Sequence, residues 1–152
     1  MCIVTVLVSL IGSCLNFLNV ITLSSKLFKE KFDLYLKYYS ISSCVLNLND
    51  FINWLLYLVY LYIGQQFSYD YVFFQTYVYT VVWTTFYTTG ALLDIVLLYE
   101  RIQILLPHII HFRSLKPIAV FSLTLIFSVL INIPFNLNRS IHEEMFLVSV
   151  CT

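Results

Sequence analysis

The sequence predicts an all-α membrane protein with four transmembrane helices, and two observations support this fold class. Hydrophobic residues make up 61% of the 152 residues and charged residues only 11%, whereas about 25% of the residues in a typical soluble domain are charged. Four long, mainly apolar segments also reach the ~20 residues that a helix needs to cross a bilayer. Their continuity favours helices over the alternating strands of a membrane barrel. They lie at Ile3–Leu23, Tyr39–Ile63, Phe73–Tyr99 and Ile118–Leu137.

The first segment has the position of a signal peptide but not its composition. No basic residue precedes it, and it contains Asn16 and Asn19. It is also longer than the apolar core of about 7–15 residues that a signal peptide has. We therefore expect a retained helix. The sequence shows no internal repeat and no low-complexity linker, so residues 1–152 are expected to form a single transmembrane domain.

The distribution of basic residues predicts the orientation. Seven of the eight Lys and Arg residues lie near the loops after the first and third segments, namely Lys26, Lys29, Lys31, Lys37, Arg101, Arg113 and Lys116. The positive-inside rule places these loops in the cytoplasm and the N-terminus outside. The eighth, Arg139, belongs to Asn138-Arg139-Ser140, an N-glycosylation acceptor sequence on the side expected to be extracellular. We expect a multi-pass protein of the plasma membrane.

Polar residues recur at helical spacing within the first two segments. The first carries Thr5, Ser9, Gly12, Asn16 and Asn19, and the second carries Ser43, Asn47, Asp50, Asn53, Trp54 and Tyr57. We expect such stripes to face other helices, because unpaired polar groups are unfavourable in hydrocarbon. An ionisable residue near mid-membrane, here Asp50, indicates a functional site. The alternative is a protonated aspartate with a purely structural role.

The third segment carries one long mixed stripe. The step from Trp83 to Arg101 is eighteen residues, or five turns, so Trp83, Tyr87, Gly90, Asp94 and Arg101 share one face. We expect this stripe to face inward. An aromatic belt at the membrane surface is the simpler explanation for many of the rings, but Trp83 and Tyr87 lie deeper than such a belt.

The sequence contains no signature of catalysis. It has no nucleophile or zinc-protease motif, no glycine-rich phosphate loop and no metal-ligand spacing. The formal net charge is zero, which gives no electrostatic footprint for nucleic acid. We expect neither enzyme activity, nor a metal site, nor nucleic-acid binding, and membrane lipid is the expected surrounding.

Three short motifs together resemble the rhodopsin-like family of G-protein-coupled receptors, in particular its divergent invertebrate chemoreceptor and neuropeptide-receptor-like branches. They are Gly12 with Asn16, Leu46 with Asp50, and Glu100-Arg101-Ile102, which is similar to the family's Asp/Glu-Arg-Tyr motif. The resemblance covers essentially the whole chain as helices 1 to 4 of a seven-helix bundle. We therefore expect a truncated receptor.

The resemblance implies roles for individual residues. Asn16, Asp50 and Asp94 would belong to a polar network in the bundle core, with a sodium ion or water near Asp50. Glu100 would pair with Arg101 at rest, and agonist binding would release Arg101 to contact a heterotrimeric G protein.

An unidentified extracellular chemical or peptide ligand would bind near Tyr57, Trp83 and Tyr87. The alternative that the residues leave open is a complete four-helix membrane protein, such as a scaffold or a channel or transporter subunit. It too would direct its polar stripes inward.

Overall fold

The computed structural model describes residues 2–25, 30–63, 69–105 and 116–151, which are almost entirely helical. Helix α1 covers Cys2–Leu23, α2 Lys31–Ile63, α3 Tyr69–Phe73, a π-helical segment Phe74–Tyr79, α4 Thr80–Leu105 and α5 Pro117–Cys151. Four continuous spans are long and apolar enough to cross a membrane: Ile3–Leu23, Lys31–Ile63, Tyr71–Ile102 and Pro117–Pro134. The predicted all-α architecture, with four helices long and apolar enough to cross a membrane, is confirmed, and it fits a multi-pass integral membrane protein.

Three of the helices extend beyond the predicted apolar segments. Helix α2 has 33 residues, or about 50 Å at 1.5 Å per residue, and the hydrocarbon core is only about 30 Å thick. Hydropathy identifies only the part of a helix that can lie in hydrocarbon. The backbone hydrogen bonds of the helix can continue beyond that part into water. Lys31 and Lys37 consequently lie on the first turns of α2 and not in the predicted loop. Lys26, Lys29 and Arg113 lie outside the described residues.

The interior of the bundle is polar and its surface is apolar. Among the described residues, the buried polar side chains are Ser9, Ser13, Ser40, Ser42, Asn49, Asn53, Thr80, Thr84, Thr85, Thr89 and Ser128. Large aliphatic side chains of α1 and α5 are mostly exposed. This pattern suits lipid, which solvates apolar side chains while small residues let helices approach closely.

The helices pack in chain order. Helix α1 packs on α2, α2 on α4 and α4 on α5, with a smaller contact between α2 and α5. Pro117 stands at the first position of α5, where the missing N–H of a proline costs no hydrogen bond. Two neighbouring helices cover α4 on part of its circumference, and the rest of its surface carries exposed side chains.

Gly12 lies where α1 packs tightly against α2. A Cβ atom added at Gly12 would lie 2.8 Å from Nδ2 of Asn47, well inside van der Waals contact. The neighbouring Ser13 accepts a hydrogen bond of 3.6 Å at its carbonyl from Sγ of Cys44. The sequence motif of Gly12 and Asn16 therefore includes a packing position.

Gly12→Ala is expected to be less stable than Gly90→Ala by about 1 kcal/mol. Both changes gain the same helix propensity, about 1 kcal/mol over Gly. A Cβ at Gly90 has no atom within 4 Å, whereas one at Gly12 must displace Asn47, and overpacking commonly costs about 1–3 kcal/mol. Thermal unfolding of the two variants in the same micelles measures the difference. Equal stability would show that the amide of Asn47 moves aside at no cost.

The third span is interrupted by six residues of π-helix. The backbone N–H of Thr80 donates to the carbonyl of Gln75, five residues earlier, and the Thr80 hydroxyl donates to the same oxygen at 2.9 Å. A π-helical turn contains an extra residue and is frequent at functional sites. The segment ends at Tyr79, the residue that makes the main polar contacts with α2 described below.

Candidate functional site

An ion pair joins α2 to α4 at one end of the bundle. Nζ of Lys31 lies 2.6 Å from Oε1 of Glu100, with the side chains 32% and 12% exposed. The same Nζ is 5.7 Å from the centroid of the Tyr35 ring, and Tyr35 is buried. The pair forms because α2 begins, and α4 ends, beyond the predicted apolar segments. We call this end, which holds Lys31, Glu100, Arg101 and Lys116, the basic end.

Arg101 takes a different direction from Glu100. It is exposed, and Cζ of its guanidinium is 5.4 Å from the centroid of the Phe32 ring on α2. Consecutive helical residues do not face each other. The expected pairing of Glu100 with Arg101 is therefore corrected: among the described residues, Glu100 pairs with Lys31 across two helices. In the sequence, Lys31 is one of several basic residues near the loops, and nothing marks it as the partner of Glu100.

A cavity of about 310 Å³ lies beside this ion pair, between α2, α4 and α5. Its lining is almost wholly apolar, with Glu100 and the Tyr35 ring among its walls: Tyr35, Ile95, Val96, Tyr99, Glu100, Val120, Leu123 and Thr124. Nearby, the rings of Tyr38 and Phe121 stack with centroids 4.8 Å apart. Helix α5 is thus tied to the same end of α2 that carries Lys31.

A second polar cluster lies around Asp50, toward the other end. The Tyr79 hydroxyl donates to Oδ1 of Asp50 at 2.9 Å. In return Nδ2 of Asn49 donates to the Tyr79 carbonyl at 3.1 Å. Tyr79 therefore bonds α2 through both its side chain and its backbone. The structure gives Asp50 a partner that the sequence analysis did not identify.

Asn53 adds an unsatisfied acceptor to this part of α2. Its Oδ1 is buried and has no hydrogen-bond partner within the described part of the chain. It lies three residues after Asp50, on the same side of the helix. The implied sodium ion near Asp50 requires oxygen ligands, and Asp50 and Asn53 would hold it. Within the described residues no group of three or more His, Cys, Asp or Glu side chains comes together.

A threonine–asparagine network joins α4 to α5. Nδ2 of Asn132 donates to the Thr88 hydroxyl at 3.1 Å and to the Thr84 carbonyl at 3.4 Å. Nδ2 of Asn136 lies 3.4 Å from the Thr84 hydroxyl. The sequence analysis missed this network. The sequence pattern that could have indicated this network is the four-residue spacing of threonines in the third segment, together with the same spacing of Asn132 and Asn136 in the fourth.

The expected inward-facing stripe of the third span lies largely on the surface of this bundle. Tyr87 is 59% exposed and Trp83 is 36% exposed, and Asp94 and Arg101 are exposed as well. Only Gly90 of the five is buried. The threonine face of α4 packs inward instead, because small side chains allow the closer helix contact.

The proposed ligand-pocket residues form two separate ring pairs. Trp83 and Tyr87 stack with centroids 4.9 Å apart and planes 5° apart. Tyr57 contacts Trp54 edge to face at 5.7 Å. The cavities described for this structure are lined by other residues. A ligand site at these rings stays a prediction.

The remaining predicted residues are placed as follows. Nδ2 of Asn16 donates to the Gly12 carbonyl of its own helix at 2.9 Å, and no hydrogen bond among the described residues joins it to Asp50 or Asp94. The backbone of Asn138 lies within α5 and not in the expected loop, because α5 continues past Pro134. The side chain of Asn138 lies outside the described residues. No protein-family model, no curated protein and no solved structure matches this chain.

Proposed function

We propose that this chain provides the first four helices of a rhodopsin-like G-protein-coupled receptor bundle, which transmits an extracellular chemical or peptide signal to a heterotrimeric G protein. The observation that carries the proposal is the arrangement at the basic end. Glu100 is held by Lys31 of another helix, while its neighbour Arg101 is exposed and has no ion pair among the described residues. Arg101 is thereby available to a cytoplasmic partner.

The pair between Lys31 and Glu100 supplies a conformational constraint. Its atoms are 2.6 Å apart and lie on two different helices, so a movement of the end of α4 away from α2 must separate them. An extracellular ligand shifts such an equilibrium only by binding the separated state more tightly. Farther from the basic end, the Asp50 cluster joins α2 to Tyr79, the last residue of the π-helical segment that leads into α4.

The orientation in this proposal follows from the charges. The basic end faces the cytoplasm and the N-terminus lies outside the plasma membrane, as the positive-inside rule predicts. The ligand would approach from the opposite end, near Tyr57, Trp83 and Tyr87. The G protein would bind at the basic end, where Arg101 is exposed.

Glu100→Gln and Lys31→Gln are both expected to raise ligand-independent signalling several-fold in the protein expressed from its full-length transcript. Each change removes one partner of the same ion pair. A loss of about 1 kcal/mol shifts a two-state population by roughly fivefold. Arg101→Ala is expected to lower stimulated signalling. A G-protein nucleotide-exchange assay on isolated membranes measures all three.

Lys37→Gln is the matched control, because Lys37 lies on the same helix and has no ion pair within the described residues. If Glu100→Gln raises signalling but Lys31→Gln does not, the acid acts through another cation. If neither change alters basal signalling and Arg101→Ala leaves stimulated signalling intact, the proposal is wrong and a four-helix scaffold or channel subunit takes its place.

Asn138 is expected to be glycosylated when the protein passes through the secretory pathway. The triplet Asn138-Arg139-Ser140 lies at the end of the bundle that the charges place outside the cell. Endoglycosidase treatment should shift the electrophoretic band of the wild-type chain and leave Asn138→Gln unchanged. Protection of the Asn138 segment from external protease in intact cells, without glycan, would reverse the orientation.

A further inference from the structure

Two consecutive residues at the start of α2 contact two consecutive residues near the end of α4. Lys31 forms the ion pair with Glu100 at 2.6 Å. The next residue of α2, Phe32, has the centroid of its ring 5.4 Å from Cζ of Arg101, the next residue of α4. Phe32 is half-buried and Arg101 is exposed. The ion pair fixes the end of α4 against α2 and thereby keeps the guanidinium beside the ring.

The contact with the ring leaves the hydrogen-bond donors of Arg101 unused. An aromatic ring attracts a cation through its quadrupole and occupies none of the strong acceptors that a guanidinium can bind. Among the described residues, Arg101 makes no hydrogen bond and no ion pair. Its planar fork of N–H donors matches carboxylate groups in geometry. The ring therefore holds the side chain in place while the donors remain available to another molecule.

A neighbouring cleft gives the side chain of Arg101 a competing position. The cleft has a volume of about 240 Å³ and lies between α2 and α4, and its other lining residues are Leu36, Tyr39, Asp94, Leu97 and Leu98. Asp94 lies seven residues before Arg101, or about 10 Å along the axis of α4, and gives the cleft an acidic wall. A cation that turned toward this wall would point away from the basic end. Phe32 opposes that movement from the other helix.

We infer that Phe32 is a positioning residue, which holds the guanidinium of Arg101 at the basic end for a carboxylate or carbonyl oxygen of the cytoplasmic partner. Ordering a long side chain on binding costs conformational entropy, and a side chain that is already held loses less. The inference rests on the proposed function, because it concerns how Arg101 meets the G protein. It adds an aromatic residue of α2 to that site.

Nuclear magnetic resonance of the chain in micelles, with ¹⁵N-labelled arginine side chains, tests the contact without a G protein. The chain has three arginines, Arg101, Arg113 and Arg139, and Arg101→Lys assigns the signal of the first. The ring current of Phe32 should displace this signal from its position in the unfolded chain. Phe32→Leu should remove the displacement and Phe32→Tyr should keep it. An unchanged signal in Phe32→Leu would overturn the inference.

Phe17→Leu is the matched control for this experiment. It makes the same change at a ring of α1 that is 58% exposed, and it should leave the Arg101 signal in place. Lys31→Gln should displace the Arg101 signal partly toward its unfolded position, because the ion pair holds the end of α4 against the ring.

Ligand-independent nucleotide exchange tests the consequence in the protein expressed from its full-length transcript, with purified heterotrimeric G proteins of each class. Phe32→Leu should raise the G-protein concentration for half-maximal exchange about two- to fivefold, as the loss of an exposed cation–π contact predicts. The maximal rate should stay unchanged, and Phe32→Tyr should behave as the wild type. In the Arg101→Ala variant, Phe32→Leu should have no further effect.

The outcomes separate the inference from the proposed function. If Arg101→Ala lowers exchange while Phe32→Leu behaves like Phe17→Leu, the inference is wrong and the proposed function stands. An equal effect of Phe32→Leu with and without Arg101 would show that the ring acts through another group, and would also overturn the inference. If Arg101→Ala itself leaves exchange unchanged, the result counts against the proposed function, and the inference fails with it.

Discussion

Lys31→Glu is expected to lower the free energy of unfolding by about 2 kcal/mol, between the values for exposed and buried ion pairs. The change places a second carboxylate beside Glu100, whose side chain is only 12% exposed. Water therefore screens the repulsion between the two carboxylates poorly. Chemical or thermal unfolding of the purified chain in micelles, followed by tryptophan fluorescence, measures the loss.

Exchanging the two charged residues tests whether Lys31 and Glu100 interact directly. Lys31→Glu combined with Glu100→Lys restores the opposite charges and should recover most of the lost stability, because the two residues interact directly. Lys37→Glu makes the same charge change six residues further along α2, and it should cost much less. Additive losses in the double variant would show that the two side chains do not interact.

Tyr79→Phe is expected to cost about 1–3 kcal/mol, because it leaves an oxygen of the half-buried Asp50 without its hydrogen-bond donor. The change removes the hydroxyl that donates to Asp50 at 2.9 Å and leaves the ring in place. The backbone carbonyl of Tyr79 can still accept from Asn49. The loss therefore reports the interactions of the Tyr79 hydroxyl and not those of its backbone.

Tyr62→Phe is the matched control, because it removes the same atom from a side chain that is 94% exposed. It should change stability by less than about 0.5 kcal/mol, as most surface substitutions do. A similar, small effect for both variants would show that Asp50 is satisfied without Tyr79. A further loss on adding Asp50→Leu would separate the role of the carboxylate from that of the hydroxyl.

The sequence predicted the positions of the four apolar helices well, but it did not predict which of their surfaces pack together. Apolar length alone located the four helices that are long enough to cross a membrane, because the requirement to cover hydrocarbon acts on each segment separately. The partner of Glu100 could not be found in this way. Lys31 lies 69 positions earlier, and only the extended start of α2 brings it to the end of α4.

Periodicity likewise showed which residues share a face but not where that face points. Asp94 and Arg101 are on one side of α4, as predicted, yet a different side holds the buried Thr89. Threonine is ambiguous in sequence, since it is neither strongly apolar nor charged. In lipid its small size and its hydroxyl make it suitable for helix contacts, as its bonds to Asn132 show.

The π-helical segment Phe74–Tyr79 has a consequence for the direction of α3. Its wide turn accommodates one residue more than an α-helical turn would. Deleting one residue there would let the segment close as α-helix and rotate α3 by about 100° about the helix axis. Tyr71, which is 5% exposed and whose ring lies 5.0 Å from that of Tyr60, would then turn away from α2. The length of the π-helical segment thus sets the rotation of α3 about its helix axis. A change of one residue alters this rotation strongly and the position of α3 along the axis only slightly.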